Sequence, residues 1–240
     1  MLFFYIRHGD PIYDPDMLTP LGHEQARAVA KRLCLYGVDR VFASTSNRAR
    51  QTAEPTCQLL KKEMTVCDWA DEAVAWQEFT VILEDGRRTW GFQHPETTRL
   101  FNTPEMRARG VEWYRAPELS ATFESGMKRV DAAVDTFFLS LGYRHDRENA
   151  RFEAVAPHDE RVALFAHQGF GMSFFSSLLD IPYPMFCTHF DMGHTGMSVI
   201  DFEVRDDGYV YPKVLQLAND SHLYREGILT GYQNVKKLRF

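Results

Sequence analysis

The sequence has few cysteines, no long hydrophobic run and no excess of basic residues. Cys34, Cys57, Cys67 and Cys187 show no Cys-x-x-Cys spacing, which argues against a zinc site or disulfide framework and favours a reducing, cytoplasmic location. No segment has the length of a membrane span, and we expect no signal peptide before the first predicted strand. The net charge of −6 gives no reason to expect nucleic-acid binding.

What is present fits a globular α/β protein. The 240 residues, 45% of them hydrophobic and 25% charged, can bury the core of one large domain. Strand-like apolar runs alternate with helical patterns, which predicts a three-layer α/β/α fold with a mainly parallel sheet. The predicted strands are Leu2–Ile6, Val38–Ala43, Thr65–Asp68, Val162–Ala166 and Gly196–Val204, with a hairpin partner at Tyr209–Gln216. The predicted helices run from Pro20 to Gly37 with Thr19 as N-cap, from Arg48 to Lys61, and from Gln168 to Leu179.

Residues 84–159 differ from the rest in composition. They are polar, rich in arginine and aromatic residues, and interrupted by Pro95, Pro104 and Pro117 before a helical stretch at 124–141. We interpret them as a cap-like insertion over the ligand-binding edge of the sheet, within a single domain of residues 1–240. The basic segment 236–240 is predicted to be a frayed end.

Basic side chains follow three of the predicted strands directly. Arg7 and His8 follow the first strand, Arg48 the second, and His167 the strand Val162–Ala166. The carboxyl ends of parallel strands form one edge of a sheet, so these side chains should converge there. Arginine forks suit a tetrahedral oxyanion. A cation at a helix start such as Arg48 also makes sense if an anion lies between it and the helix.

Four segments, in order along the chain, carry a recognisable set of motifs. They are Ile6-Arg7-His8-Gly9, Leu18-Thr19-Pro20-Leu21-Gly22-His23-Glu24-Gln25-Ala26, Arg48-Ala49-Arg50-Gln51-Thr52-Ala53 and Phe165-Ala166-His167-Gln168-Gly169. Asn219-Asp220-Ser221-His222-Leu223 is a weaker match. On these segments the chain resembles the histidine phosphatase superfamily, which includes cofactor-dependent phosphoglycerate mutases and many small-molecule phosphatases.

The resemblance implies a role for each matching residue. His8 would be the nucleophile that forms a phosphohistidine. Arg7, Arg48 and His167 would bind the phosphoryl oxygens and stabilise charge in the transition state. His167 would act best as a cation, and phosphate would raise its pKa in the complex. The resemblance implies no metal and no other cofactor.

The family also uses a carboxylate beyond the third strand as a general acid, and two residues compete for this role. Glu72 lies about where the family motif places it, shortly after the predicted strand. Glu78 has a more family-like apolar flank but comes one or two turns later. We prefer Glu72, since its position needs no extra loop, and neighbours such as Trp69 and Trp76 could raise its pKa.

Two positions depart from the family pattern. Asp10 stands where relatives more often have glutamate, glutamine or asparagine, and it either points away from the phosphate or pairs with an arginine. Gln168 replaces a common glycine, and it either narrows the pocket or adds an amide donor. The Leu-Asn-Glu-Arg-His-Tyr-Gly pattern of the mutases is absent, which weakens the mutase interpretation.

Other candidate residues have simpler explanations. Arg87, Arg88 and Arg99 could bind an acidic substrate, but a solvated arginine face is the preferred interpretation. His189 and His194 could suggest a metal site, but their spacing lacks a supporting ligand pattern.

The sequence therefore predicts a metal-independent phosphatase that hydrolyses a small phosphorylated metabolite through His8. A phosphoglycerate mutase-type phosphotransferase is the alternative, and a non-catalytic phospho-ligand-binding protein is less favoured because His8, Arg48 and His167 are all retained. As partners we expect neither nucleic acid nor a membrane, and we leave a homodimer open.

Overall fold

The computed structural model describes residues 1–231, so the predicted frayed segment 236–240 lies outside the described residues. The strands within residues 1–231 are β1 (Leu2–Arg7), β2 (Pro11–Tyr13), β3 (Asp16–Leu18), β4 (Arg40–Ser44), β5 (Met64–Cys67), β6 (Thr80–Ile82), β7 (Arg88–Trp90), β8 (Tyr143–Asp146), β9 (Arg151–Ala154), β10 (Arg161–Ala166), β11 (Met197–Asp201), β12 (Tyr209–Val210) and β13 (Lys213–Asn219). The α-helices are α1 (Pro20–Tyr36), α2 (Asn47–Leu60), α3 (Glu72–Phe79), α4 (Pro95–Phe101), α5 (Pro104–Ala108), α6 (Pro117–Ser140), α7 (Gln168–Leu179), α8 (Tyr183–His189) and α9 (Ser221–Arg225). Short 3-10 helices lie at Asp68–Ala70, Gly91–Gln93 and Gly110–Arg115.

The central sheet is mainly parallel, as predicted. Its six strands lie in the order β13-β11-β1-β10-β4-β5. The four strands β1, β10, β4 and β5 pair in parallel, whereas β11 and β13 add antiparallel partners at one side. The predicted hairpin partner at 209–216 is divided in the structure. Tyr209–Val210 pairs with β9 in a separate three-stranded sheet, and the partner of β11 starts only at Lys213.

Helices cover both faces of the central sheet, and β1 shows why its sequence is apolar throughout. Phe4 and Ile6 pack on one side with residues of α1 and α2, such as Val29. Phe3 points to the other side, where its ring lies 5.2 Å from that of Phe138 in α6 and 5.9 Å from that of Phe174 in α7. Successive side chains of a strand alternate between faces, so a strand covered on both sides is continuously hydrophobic.

The ends of α1 follow the sequence signals closely. The Thr19 side chain accepts a hydrogen bond from the backbone N–H of Gly22, and Pro20 occupies the first turn. At the other end, Gly37 has a φ of 73° and its N–H bonds to the carbonyl of Leu33. This left-handed conformation favours glycine, so both predicted ends of the helix are confirmed.

Residues 84–159 pack into the helical layer on one face of the central sheet and onto α8. α6 belongs to the helical layer on the sheet, where Phe137 packs 5.1 Å from Phe42 of β4. The preceding part packs on α8, with the rings of Trp113 and Tyr183 stacked at 5.3 Å. Within residues 1–231, no helix has the length and apolar composition needed to cross a bilayer.

Candidate active site

The carboxyl ends of three adjacent parallel strands bring the predicted site residues together. His8 follows β1, His167 follows β10, and Arg48 lies in the first turn of α2 after β4. A cavity of about 660 Å³ opens at this edge of the sheet, and Arg7, His8 and Arg48 line it. The edge is where open α/β sheets bind ligands.

His8 is held in the form that a nucleophile requires. It is only 3% exposed, and its Nδ1 lies 2.7 Å from the carbonyl oxygen of Gly9. A carbonyl only accepts, so Nδ1 carries the proton and the lone pair of the neutral ring is on Nε2. Burial lowers the pKa of His8 well below its usual value, and the nearby His167, Arg7 and Arg48 lower it further. The imidazole is therefore neutral near pH 7.

The loop that carries His8 is fixed to the two helices beneath it. The backbone N–H of Gly9 donates to the hydroxyl of Thr52, which in turn donates to the carbonyl of Arg48. A Cβ on residue 9 would lie 2.7 Å from the carbonyl oxygen of Gly22 in α1, so only glycine allows this approach. The nucleophile is thus attached to a rigid part of the fold.

Arg7 is oriented by a residue that the sequence interpretation did not connect to it. Its Nη2 lies 3.1 Å from Nε2 of His194, and its Nη1 donates to the carbonyl of Met192. Burial, followed by the charge of Arg7, lowers the pKa of His194 to about 3, so this ring is neutral and Nε2 accepts from the guanidinium. Asp10 lies on the other side of the His194 ring. Its Oδ1 is 3.4 Å from Nδ1 of His194, and its Oδ2 accepts a hydrogen bond from the Thr19 hydroxyl.

Arg48 is also held by an acidic residue that the sequence interpretation missed. Its Nη1 lies 2.7 Å from Oδ1 of Asp16, whose Oδ2 accepts from the backbone N–H of Asn47 at the start of α2. Asp16 therefore places a negative charge beside the N-terminus of α2 and beside the Arg48 guanidinium, a cation that the helix dipole alone would disfavour there. Among residues 1–231, the buried Nε of Arg48 has no hydrogen-bond partner.

His167 lies behind the cavity wall, completely buried. Its Nε2 is 2.8 Å from the hydroxyl of Ser44, while its Nδ1 is 3.3 Å from Nη2 of Arg48 and 3.4 Å from Oε2 of Glu72. Its ring centroid is 5.2 Å from that of His8. Burial, Arg48 and Arg7 lower the pKa of His167 well below its usual value. A cationic His167 stays an expectation for the phosphate complex.

The two candidate general acids have different surroundings. Glu72 is the first residue of α3 and lines the cavity, and its Oε1 accepts from the backbone N–H of Gly169 at 3.0 Å. Its buried Oε2 has no hydrogen-bond partner in the part of the chain that the structure describes. Glu78 instead forms a two-pronged ion pair with Arg129, with N–O distances of 2.7 to 2.9 Å. Of the two, Glu72 alone lies beside His167 and lines the cavity with Arg7 and Arg48.

Of the neighbouring residues that the sequence suggested, Trp76 and Gln168 line the cavity and Trp69 does not. Trp76 lines the cavity beside Glu72, whereas Trp69 packs in the core with its ring 5.0 Å from Phe137. The amide of Gln168 lines the cavity and donates to the carboxylate of Asp191.

The insertion arginines and the proposed metal ligands lie elsewhere. Arg87, Arg88 and Arg99 are exposed and do not line the cavity. His189 borders a separate cavity of about 270 Å³, while His194 is held at Arg7. Within residues 1–231, no three histidine, cysteine or acidic side chains are grouped as a metal site.

Comparison with known proteins gives a consistent family and fold. The family model of the histidine phosphatase superfamily (branch 1) matches residues 5–211. No curated protein sequence matches the chain.

Several solved phosphatase structures share the fold. A phosphoserine phosphatase variant from Entamoeba histolytica, bound to phosphoserine, has 18% identity and a TM-score of 0.57, with 92% of this chain and 98% of that chain covered. A mycobacterial glucosyl-3-phosphoglycerate phosphatase has 16% identity and a TM-score of 0.57, with 91% and 98% covered. A putative alpha-ribazole-5'-P phosphatase from Escherichia coli has 17% identity and a TM-score of 0.56, with 92% and 98% covered.

Proposed function

The chain belongs to branch 1 of the histidine phosphatase superfamily, and from this premise we propose that it is a metal-independent phosphatase that hydrolyses small phosphomonoesters through a phosphohistidine at His8. The observation that carries the proposal is the state of His8. Its Nδ1–H donates to the Gly9 carbonyl and its pKa is well below the usual value, so Nε2 keeps a lone pair. Activated side chains of this kind attack phosphorus directly.

In the proposed first step, Nε2 of His8 attacks the phosphorus, a P–N bond forms and the P–O bond to the leaving alcohol breaks. Arg7 and Arg48 stabilise the charge on the equatorial oxygens, which both guanidinium groups can reach from the cavity wall. Glu72 donates a proton to the leaving oxygen. His167 lies against Arg48 and Glu72, and its pKa is lowered by burial first and then by Arg48 and Arg7. A bound phosphate opposes the two cations and raises this pKa, so that the ring binds a proton from solvent and becomes the third donor.

In the proposed second step, water attacks the phosphohistidine. The Glu72 carboxylate, deprotonated in the first step, accepts a proton from this water as a new P–O bond forms and the P–N bond breaks. Phosphate is released, and the neutral imidazole of His8 is regenerated. The arginines supply the positive charge, so no step requires a metal ion.

The cavity supports hydrolysis more than mutase chemistry. A mutase must hold a second phosphate of a bisphosphate intermediate, which calls for a second cluster of cations. Among the described residues that line the cavity, the arginines are Arg7 and Arg48, and both are at the site of the first phosphate.

The four cysteines are free thiols, which supports a reducing, cytoplasmic compartment as the proposed location.

Release of p-nitrophenol from p-nitrophenyl phosphate tests the proposal. We expect EDTA to leave wild-type turnover unchanged and His8→Ala to lower turnover by at least about a thousandfold, because the variant lacks the proposed nucleophile. Circular dichroism and the unfolding midpoint of the variant control for misfolding. Equal turnover in wild type and His8→Ala would rule out His8 as the nucleophile.

A further inference from the structure

Beyond the phosphate-binding groups, one wall of the cavity is formed by α3. Trp76 comes four residues after Glu72 on this helix, so the two side chains share a face and lie roughly 6 Å apart along the axis. Both line the cavity, and the small side chain of Ala73 lines it as well. A substrate whose ester oxygen lay at Glu72 would therefore extend along the Trp76 indole.

Trp76 is held firmly in this position. Its ring meets that of Trp90 edge-to-face, with centroids 5.0 Å apart and planes at 86°. Trp90 is in turn stacked on Phe92 at 5.7 Å and packs so closely on Gly169 that a Cβ there would lie 2.2 Å from the indole. A half-buried indole that is fixed from behind offers its remaining surface to a ligand at little conformational cost. Tyr13, which is 66% exposed, adds a second aromatic side chain to the cavity.

The titratable side chains near this wall are acidic. Asp71 and Glu72, at the start of α3, both line the cavity. In the proposed first step Glu72 still holds its proton when the substrate binds, so Asp71 is the source of negative charge at this wall. The arginines among the described lining residues, Arg7 and Arg48, belong to the phosphate site, and Asp16 already neutralises Arg48. A carboxylate or second phosphate on the alcohol would therefore lie near acidic groups without a cation to pair with, which is unfavourable.

We propose that the substrate is a phosphomonoester whose alcohol carries an aromatic or flat apolar group and no negative charge, and that Trp76 selects it. This inference rests on the proposed function, because that function places the ester oxygen at Glu72. It extends the function from phosphomonoesters in general to a class that excludes acidic alcohols such as phosphoglycerates.

Three synthetic esters test the aromatic and charge preferences separately. They are ethyl phosphate, 2-phenylethyl phosphate and 2-(4-carboxyphenyl)ethyl phosphate, all esters of primary alcohols with similar leaving-group basicity. We expect kcat/KM to be at least about tenfold higher for the phenylethyl ester than for the ethyl ester, because the ring buries apolar surface on Trp76. The added carboxylate should remove most of that gain.

Variants then locate the preference in the protein. Trp76→Ala should reduce the phenylethyl-to-ethyl ratio of kcat/KM from about tenfold to about twofold or less. Tyr224→Ala is the matched control, because Tyr224 is 89% exposed on α9 and does not line the cavity. It should keep the wild-type ratio. A ratio that is unchanged in Trp76→Ala overturns the role of Trp76.

Binding of unreactive phosphonates separates this inference from the phosphatase proposal. Calorimetry with 2-phenylethylphosphonate and ethylphosphonate should show about tenfold tighter binding of the former, dependent on Trp76. If no ester is hydrolysed but this binding preference holds, the phosphatase proposal fails and the aromatic site stands. If all three esters are hydrolysed equally well, or the carboxylated ester best, the phosphatase stands and the proposed substrate class is wrong.

Discussion

The guanidinium of Arg7 is bound by the imidazole of His194, with 3.1 Å between Nη2 and Nε2, although the two residues are far apart in sequence. The ring must be neutral and must carry its proton on Nδ1 to accept this bond, and Oδ1 of Asp10 at 3.4 Å favours that form. The position of Arg7, to which we assign a role in phosphate binding, thus depends on His194 and, through that ring, on Asp10, one of the two residues at which the chain departs from the family pattern.

Replacing His194 tests this dependence. We expect His194→Ala to lower kcat/KM by about tenfold, with most of the loss in KM, because a buried hydrogen bond to a charged group is worth about 1.5 kcal/mol or more. His194→Gln, whose amide oxygen can accept from Arg7, should recover part of the loss. Steady-state kinetics on p-nitrophenyl phosphate measure both effects. If His194→Ala retains the wild-type KM and kcat/KM, the bond from Arg7 to the Met192 carbonyl suffices to position it.

The identity of the general acid can be tested by two isosteric substitutions. Glu72→Gln should lower kcat/KM on ethyl phosphate by about a hundredfold or more, because the alkoxide needs a proton as it leaves. The same variant should lose far less on p-nitrophenyl phosphate, whose leaving group is stable without protonation. Initial rates on the two esters give this ratio directly.

Glu78→Gln is the matched control for Glu72→Gln. It removes the carboxylate that pairs with Arg129, and it leaves the carboxylates that line the cavity in place. We expect it to lower the free energy of unfolding by about 1 kcal/mol and to change both rates equally. A loss on ethyl phosphate that is specific to Glu78→Gln would transfer the acid role to that residue.

Gly169 makes a close contact that positions both the acid and the aromatic wall. A Cβ at this position would lie 2.2 Å from Trp90 and 2.5 Å from Oε1 of Glu72. Gly169→Ala should therefore displace both side chains, lower the free energy of unfolding by about 1 to 3 kcal/mol and reduce kcat/KM strongly. Chemical denaturation and kinetics measure the two effects. Gly231→Ala, where an added Cβ meets no atom of residues 1–231 within 4 Å, should alter neither.

Acidification should destabilise the protein through its buried histidines. Burial, followed by Arg32, lowers the pKa of His222 to about 4, whereas an unfolded histidine titrates near 6.5. The unfolded chain binds more protons between these values, so the stabilising contribution of His222 is complete above about pH 6.5 and falls on acidification, by up to about 1.4 kcal/mol per pH unit. Urea unfolding followed by tryptophan fluorescence between about pH 7 and 5 measures the slope.

A variant isolates the contribution of His222. His222→Gln, which cannot titrate, should show a smaller dependence of unfolding free energy on pH than wild type, whatever its absolute stability. Equal slopes in the two proteins would mean that His222 is not held neutral by burial.

The sequence predicted the fold well because the signals were local. The Thr19 cap, the Gly37 end of α1 and the apolar run of β1 depend on neighbours within a few residues. The convergence of His8, Arg48 and His167 was also predictable, since parallel strands align their carboxyl ends.

The missing parts of the site depend on contacts between distant segments. His194 comes to Arg7 only because β11 pairs with β1, and Asp16 comes to Arg48 from the β2–β3 hairpin. The burial of His167 behind the cavity wall likewise follows from the position of β10 between β1 and β4. The wall that α3 forms did have a signal in the sequence. Trp76 follows Glu72 by four residues, the spacing that places two side chains on one face of a helix.

The central claim is that His8 carries the phosphoryl group during turnover. The most direct measurement is rapid quenching of a reaction with p-nitrophenyl phosphate into base, followed by mass spectrometry of proteolytic peptides. We expect one added phosphoryl group on the peptide that contains His8, labile in acid and stable in base, and none in His8→Ala. Turnover without any phosphorylated peptide, or with the label on another residue, would contradict it.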